Sequence, residues 1–360
     1  MVLLTIISLI QVSFVSSFAV VKFVSGDFEF AQSDDETIEV SAYLGDKTTV
    51  DLPEVVNGKY VSGIYSECFK NSDIISVRIP NTYTHIGQFA FQGCTSLTSI
   101  KMPTMLKSAG TMAFFGCENL ESVDFTGVNV FSKLSFAMFS GCKSLEKVYL
   151  PESVTALNEN IFVDCESLTE VKMSDNIKLI PEYAFYGCAS LSNIELPSKL
   201  EKIEQYAFAN CKSLSEVDIP PSLTDIGNNA FENDTALSSL FIPDTVTSIG
   251  ANAFIPMSYT GNIEITCYED SYAAEYCHGN SVSNLVKVEK KLGDVNMDGV
   301  VDILDVTNIQ KYKIGTYDIS TYRQKTLSDV NKDGSVTVRD ATLIQMYLAH
   351  YFDSFDDEIQ

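Results

Sequence analysis

The sequence predicts an α/β repeat solenoid, built of short parallel strands with one helical turn per coil, followed by a small all-α module. Three observations carry this. Phe69, Phe91, Phe114, Phe139, Phe162, Phe185, Phe208, Phe231 and Phe254 fall 22, 23 and 25 residues apart and then 23 throughout. Around them runs one template, Ile-x-x-x-Ala-Phe-x-x-Cys-x-Ser-Leu-x-x-Ile-x-Ile-Pro, clean from Ile203 to Pro220. Beyond the repeats, two twelve-residue loops, Asp294 to Asp305 and Asp329 to Asp340, match almost letter for letter.

Each piece of the template has a physical reading. The Leu-x-x-Ile-x-Ile stretch suits a short strand whose alternate side chains point in and out. The Ala-Phe-x-x-Cys stretch suits a helical turn, and Pro at the strand end stops pairing. One such unit cannot bury its Phe, Leu and Ile alone, whereas stacked units cover one another. A stack needs caps, so residues 26–62 are expected to open it and residues 261–289 to close it, with the repeats over 63–260. The outward residues of successive strands are Arg78, Lys101, Asp124, Tyr149, Lys172, Glu195, Asp218 and Phe241. Among these charges Tyr149 and Phe241 stand out as a candidate ligand face of the solenoid.

Residues 2–21 are uncharged, and 1–25 read as a secretory signal, with a membrane anchor as the rival. The net charge of −24 argues against nucleic-acid and anionic-lipid partners, which require basic surface. Cys94, Cys117, Cys142, Cys165, Cys188 and Cys211 occupy one template position, where Asp234 and Met257 follow. A slot that takes Cys, Asp and Met is no metal ligand; a ladder of small, reduced, buried residues is expected. Cys68 belongs to the core. Cys267 and Cys277 lie in the closing cap, and their oxidation state stays open. His85, expected in a turn, His278 and His350 do not cluster. No nucleophile elbow, metallohydrolase or phosphate-loop motif appears, so no catalytic residue is assigned.

Each twelve-residue loop offers alternating carboxylates and amides with a glycine at the sixth place, Gly299 and Gly334. That is what a hard Ca²⁺ ion takes from a tight loop. The first set is Asp294, Asn296, Asp298, the carbonyl of Val300, Asp302 and Asp305. The second is Asp329, Asn331, Asp333, the carbonyl of Ser335, Thr337 and Asp340. Two Ca²⁺ ions are expected. The last ligand is Asp where an ordinary EF-hand has Glu. Each last Asp also stands where the following helix starts, and the segment before each loop shows no clear helix pattern. Two short helices make a thin core, so calcium energy should be folding energy.

The nine periods across roughly residues 45–257 resemble bacterial leucine-rich repeats of the BspA type. The loop pair resembles the type I dockerin, with two F-hand-type loops, over 290–360. That resemblance implies a cohesin domain on a scaffold as the partner. It also implies cohesin contact through Ile303, Leu304, Gln310 and Lys311 of the first half and Val338, Arg339, Gln345 and Met346 of the second. The chain therefore reads as a secreted, non-catalytic leucine-rich repeat protein anchored to a cellulosomal or cell-surface scaffold. Its solenoid would recognise an unidentified protein or surface ligand. The alternatives are glycosyl hydrolysis in plant polysaccharide degradation and a scaffold-independent adhesin.

Overall fold

The computed structural model describes residues 20–355 except 33–36, 255–262, 270, 280–283, 289–290, 297–299 and 320–321. Residues 1–19, which hold most of the expected signal, lie outside the described residues, as do Met257 and Asp298.

The repeats stack as a parallel solenoid. The strands Thr49–Asp51, Ser76–Arg78, Ser99–Lys101, Ser122–Asp124, Lys147–Tyr149 and Glu170–Lys172 form one sheet in chain order. Their register sets Val50 on Val77, Val77 on Ile100, Val123 on Val148 and Val148 on Val171. One inward aliphatic per coil thus lies directly on the next, as a period-2 strand with one buried face requires.

Most coils carry a second, shorter strand that the template reading missed. His85–Ile86 pairs with Ser108–Ala109, and Leu179–Ile180, Lys202–Ile203, Asp225–Ile226 and Ser248–Ile249 form a four-stranded parallel sheet. These are two-residue strands with one inward side chain each, too short to show alternation. His85 is therefore a strand residue rather than a turn residue, and its Nε2 meets the Glu39 carboxylate of the opening cap.

A third ladder runs through the Ala-Phe-x-x-Cys segments. They are tight turns closed by bonds such as Cys94 N to Phe91 O at 3.1 Å. Their remaining amides reach the next coil, as Phe91 N does to Ala113 O at 2.8 Å. The residue before the template's Ala takes a left-handed backbone in coil after coil, with φ of 56° at Tyr183 and 58° at Asn229. Inside, Phe69 to Phe254 stack with centroids 5.1 to 5.8 Å apart. Beside them run six buried thiols. Each Sγ donates to the Phe carbonyl of the preceding coil, from Cys94 to Phe69 O at 2.9 Å through to Cys211 to Phe185 O at 3.2 Å. All nine cysteines are buried and unbonded to one another.

Aromatic rings close both ends. At the front, β1 (Val21–Ser25), β2 (Phe28–Gln32) and β3 (Ile38–Tyr43) form an antiparallel meander, and β3 continues in parallel into Lys59–Ile64. Tyr43 lies over Phe69 at 6.1 Å and Phe28 over Tyr43 at 5.3 Å. The opening sheet reaches back to Val21, inside the stretch 1–25 expected as the signal. At the far end Tyr276, on α1 (Tyr272–Gly279), meets Phe254 edge-on at 6.2 Å. The strands Glu264–Tyr268 and Asn284–Val288 flank α1 and extend the sheet.

The C-terminal module has its own apolar cluster, centred on Val295, Val306, Ile309, Val330, Ala341 and Ile344, which shares no residue with the solenoid core. It holds α2 (Ile303–Lys313), α3 (Tyr322–Ser328) and α4 (Val338–Leu348). The expectation of two helices is short by one: α3 leads directly into the second loop, and its sequence Tyr-Arg-Gln-Lys-Thr-Leu-Ser offers no apolar stripe. Among the described residues no helix is long and apolar enough to cross a membrane.

Candidate metal centre and partner face

The two loops and the helices after them are built alike because each loop's end is also a helix cap. Asp302 caps α2 by accepting from Leu304 N at 2.6 Å, and Thr337 caps α4 by accepting from Arg339 N at 3.2 Å. Asp305 and Asp340 close capping boxes from the third helical position. They therefore lie inside the first turn rather than at its start, where a carboxylate still faces the positive end of the helix dipole.

Asp305 is fully buried and gathers three backbone amides. Its Oδ1 accepts from Val295 N at 2.8 Å and Asn296 N at 3.2 Å, and its Oδ2 from Asp302 N at 2.8 Å. Asp340, equally buried, accepts from Asn331 N at 3.4 Å, Thr337 N at 2.8 Å and the Thr337 hydroxyl at 3.0 Å. Each final carboxylate thus draws the two ends of its loop together.

In the second loop Asp329 accepts from Asp333 N at 3.1 Å and Gly334 N at 2.8 Å. Asp333 accepts from Ser335 N at 3.0 Å and from the Asn331 amide at 3.0 Å. The chain turns through Lys332 and Gly334, at φ of 56° and 87°. Gly334 takes a conformation that costs glycine nothing. In the first loop Asp294 is buried, while Val300, which offers its carbonyl, is exposed.

The chemistry of the donor set fits a hard divalent cation. The second loop supplies only oxygens: carboxylates from Asp329, Asp333 and Asp340, the Asn331 amide, the Thr337 hydroxyl and the Ser335 carbonyl. Burial first, then the like charges of Asp340 and Asp333, push the Asp329 carboxyl above its ordinary value. Burial and Asp294 do the same to Asp305, against the pull of its three amides. A cation relieves such crowding. As placed, no three His, Cys, Asp or Glu among the described residues converge closely enough to hold a metal.

Ile303, Leu304 and Val338 stand 54 to 58% exposed at the first turns of α2 and α4. Gln310, Lys311, Arg339 and Gln345 are exposed, and Met346 is half-buried.

On the solenoid, Tyr149 is 49% exposed and lies in register with Lys172. Lys147, at 2.9 Å, and then the Tyr149 side chain hold the Glu170 carboxyl below its ordinary value. A groove of about 720 Å³ opens beside them, lined by Glu170, Lys172, Asn193, Glu195, Glu216 and Asp218. Phe241 departs from expectation. It is half-buried, because Tyr268 of the closing cap packs edge-on against it at 5.4 Å and 86°. Sequence alternation put it outside but had no view of the cap.

Comparison with known proteins agrees with this architecture. The BspA type leucine rich repeat region matches in six copies within residues 62–292, and the dockerin type I domain matches residues 292–349. No curated protein matches the chain. Among solved structures, a leucine rich repeat protein of T. pallidum is 30% identical over 52% of this chain and 88% of its own, with a TM-score of 0.50. A leucine-rich repeat protein of Bacteroides ovatus is 26% identical over 69% of this chain, with a TM-score of 0.53. This chain spans 66% of that protein's length, just under two thirds. Both matched regions are non-catalytic modules, and type I dockerins are calcium-binding modules. The chain belongs to the BspA type leucine rich repeat family and carries a type I dockerin domain.

Proposed function

We propose that this is a secreted, non-catalytic adaptor. Its dockerin, loaded with two Ca²⁺ ions, docks to a cohesin on a cellulosomal or cell-surface scaffold, and its solenoid recognises a protein or surface ligand. The observation that carries the reading is the exposure of Ile303, Leu304 and Val338 immediately behind the two loops. Large apolar side chains at the starts of two capped helices are an unfavourable use of surface unless a partner covers them. Their position ties that face to the loops, because the caps that set the helix starts are loop residues Asp302 and Thr337. Calcium would act by fixing the loops and, through the caps, the face.

The halves are not equivalent: Ile303 and Leu304 answer to Val338 and Arg339, and Lys311 to Met346. One docking orientation is therefore expected to dominate. For the solenoid, Tyr149 beside the polar groove is the better anchor, since Phe241 is already packed.

The test is binding of the full chain to a panel of immobilised cohesins, with calcium and then with chelator. Tight binding that chelation abolishes, and that Leu304→Asp weakens more than Arg339→Asp, supports the reading. Absence of binding to every cohesin while calcium still raises the module's melting temperature overturns it.

A further inference from the structure

The thiol ladder ends on a carboxyl group. Six rungs follow one pattern, in which the residue at the Cys slot donates to the Phe carbonyl of the preceding coil. The seventh slot holds Asp234, and the carbonyl awaiting it is that of Phe208. Cys211 N places the two groups side by side: it donates both to Phe208 O at 3.1 Å and to Asp234 Oδ1 at 2.8 Å. The other oxygen, Oδ2, is buried without a hydrogen-bond partner among the described residues.

Among the described residues, the surroundings offer Asp234 no charge to pair with. On the preceding coils the titratable groups near it are the thiols of Cys211 and Cys188, themselves held neutral by burial. On its own coil the Glu232 carboxylate is engaged by the Asn229 amide at 2.8 Å. The coil that follows brings Phe254. An ionised carboxylate in such a place has lost its hydration and gained one hydrogen bond, a large penalty. A protonated one has an O–H where the other rungs have S–H, beside the Phe208 carbonyl that shares the Cys211 N–H with it.

We propose that Asp234 is a neutral carboxylic acid in the folded protein and the seventh donor of the ladder, bonded to Phe208 O, so that rising pH loosens the last coils of the solenoid. Burial acts in the same direction, pushing this carboxyl well above its ordinary value. The sign follows from linkage. A carboxyl whose folded value is raised contributes stability that is complete below the unfolded value of about 4 and is lost as pH rises through the folded value. Over that interval the folding equilibrium falls by about tenfold per pH unit for this one group. Loss of the proton to solvent leaves a buried charge between the coil of Phe208 and that of Phe231. The repeats beyond it, with the closing cap and α1, are then the part that opens, since each coil contacts only its neighbours.

Asp234→Asn isolates the effect. The amide keeps the shape, can accept from Cys211 N and can donate to Phe208 O, but it does not titrate. The experiment compares urea unfolding of the full chain and of this variant at a series of pH values from 4 upward. Hydrogen exchange of the Ile226 to Ile249 amides reads the local opening. The proposal expects the wild-type folding equilibrium to fall relative to the variant by about tenfold per pH unit, with exchange rising first in that segment. Asp234→Cys, which restores the seventh thiol, should match Asn in its flat profile. Parallel pH profiles for wild type and Asn overturn the proposal, as does an Asn variant destabilised equally at every pH.

Discussion

Asp305→Ala should separate the two duties of the loop's last carboxylate. The substitution strips acceptors from Val295 N, Asn296 N and Asp302 N, of which the first lies in a fully buried residue. Val295 N keeps a second acceptor, Gly293 O at 3.1 Å, so the loss falls chiefly on the other two amides. An amide left unsatisfied costs about 1–3 kcal/mol where it is buried. The two share one site, so their costs do not simply add, and we expect about 2–4 kcal/mol. A module of this size is stable by only about 3–9 kcal/mol, so the metal-free variant should sit at or near its unfolding threshold. Asp305→Asn keeps an oxygen for the amides and loses the charge, and should cost about 1–2 kcal/mol. The assay is calorimetry of the full chain. The separate apolar clusters predict two transitions, and the one that calcium shifts belongs to the module. The Ala variant should lose that transition in chelator, whereas the Asn variant should keep it but respond less to calcium. Asp340→Ala should be milder, because its Asn331 N bond is long, at 3.4 Å, and one of its donors is a hydroxyl. If Asp305→Ala melts and responds to calcium as the wild type does, the carboxylate does not close the loop.

Phe162→Ala removes a fully buried ring from between Phe139 at 5.8 Å and Phe185 at 5.4 Å, and should cost about 3–5 kcal/mol in urea unfolding. Phe254→Ala, with one stacked neighbour, Phe231, and an edge contact from Tyr276, should cost less. Gly227→Ala should lower the melting temperature, since its new Cβ would lie 2.6 Å from backbone N of Gln205 and C of Glu204. Ala137→Gly should leave it nearly unchanged: relief of about 1–2 kcal/mol at a φ of 50° is offset by roughly 0.5–1 kcal/mol of added chain entropy and about 0.8 kcal/mol for the buried methyl it removes.

How far the amino-acid sequence reveals the fold depends on the range of the interactions. The stack of Phe69 to Phe254 and the inward Val77, Ile100 and Val123 were legible because their burial repeats with the period. The dockerin domain was legible because the residues that mark it are contiguous in two short loops. Three features were not, each for a nonlocal reason. The two-residue strands such as His85–Ile86 exist only through pairing with adjacent coils. Helix α3 carries little apolar pattern of its own, yet it abuts the first loop, where Gly293 N bonds to Leu327 O at 2.8 Å. Phe241 faces outward by alternation and is covered by Tyr268, a cap residue from the following coil.

Asp234 belongs to a different kind. Its position was visible as a departure from the template, but its chemistry was not, because sequence gives no burial and no donor direction. In a solenoid every coil is an internal control for every other. Six thiols that all donate to a Phe carbonyl show what the slot does from Cys94 to Cys211. The sequence breaks that role at Met257, which has no hydrogen to give, and Asp234 can continue it only as an acid. If the seventh coil keeps the role of the six before it, its protonation is constrained, and the pH profile of the Asn variant measures that.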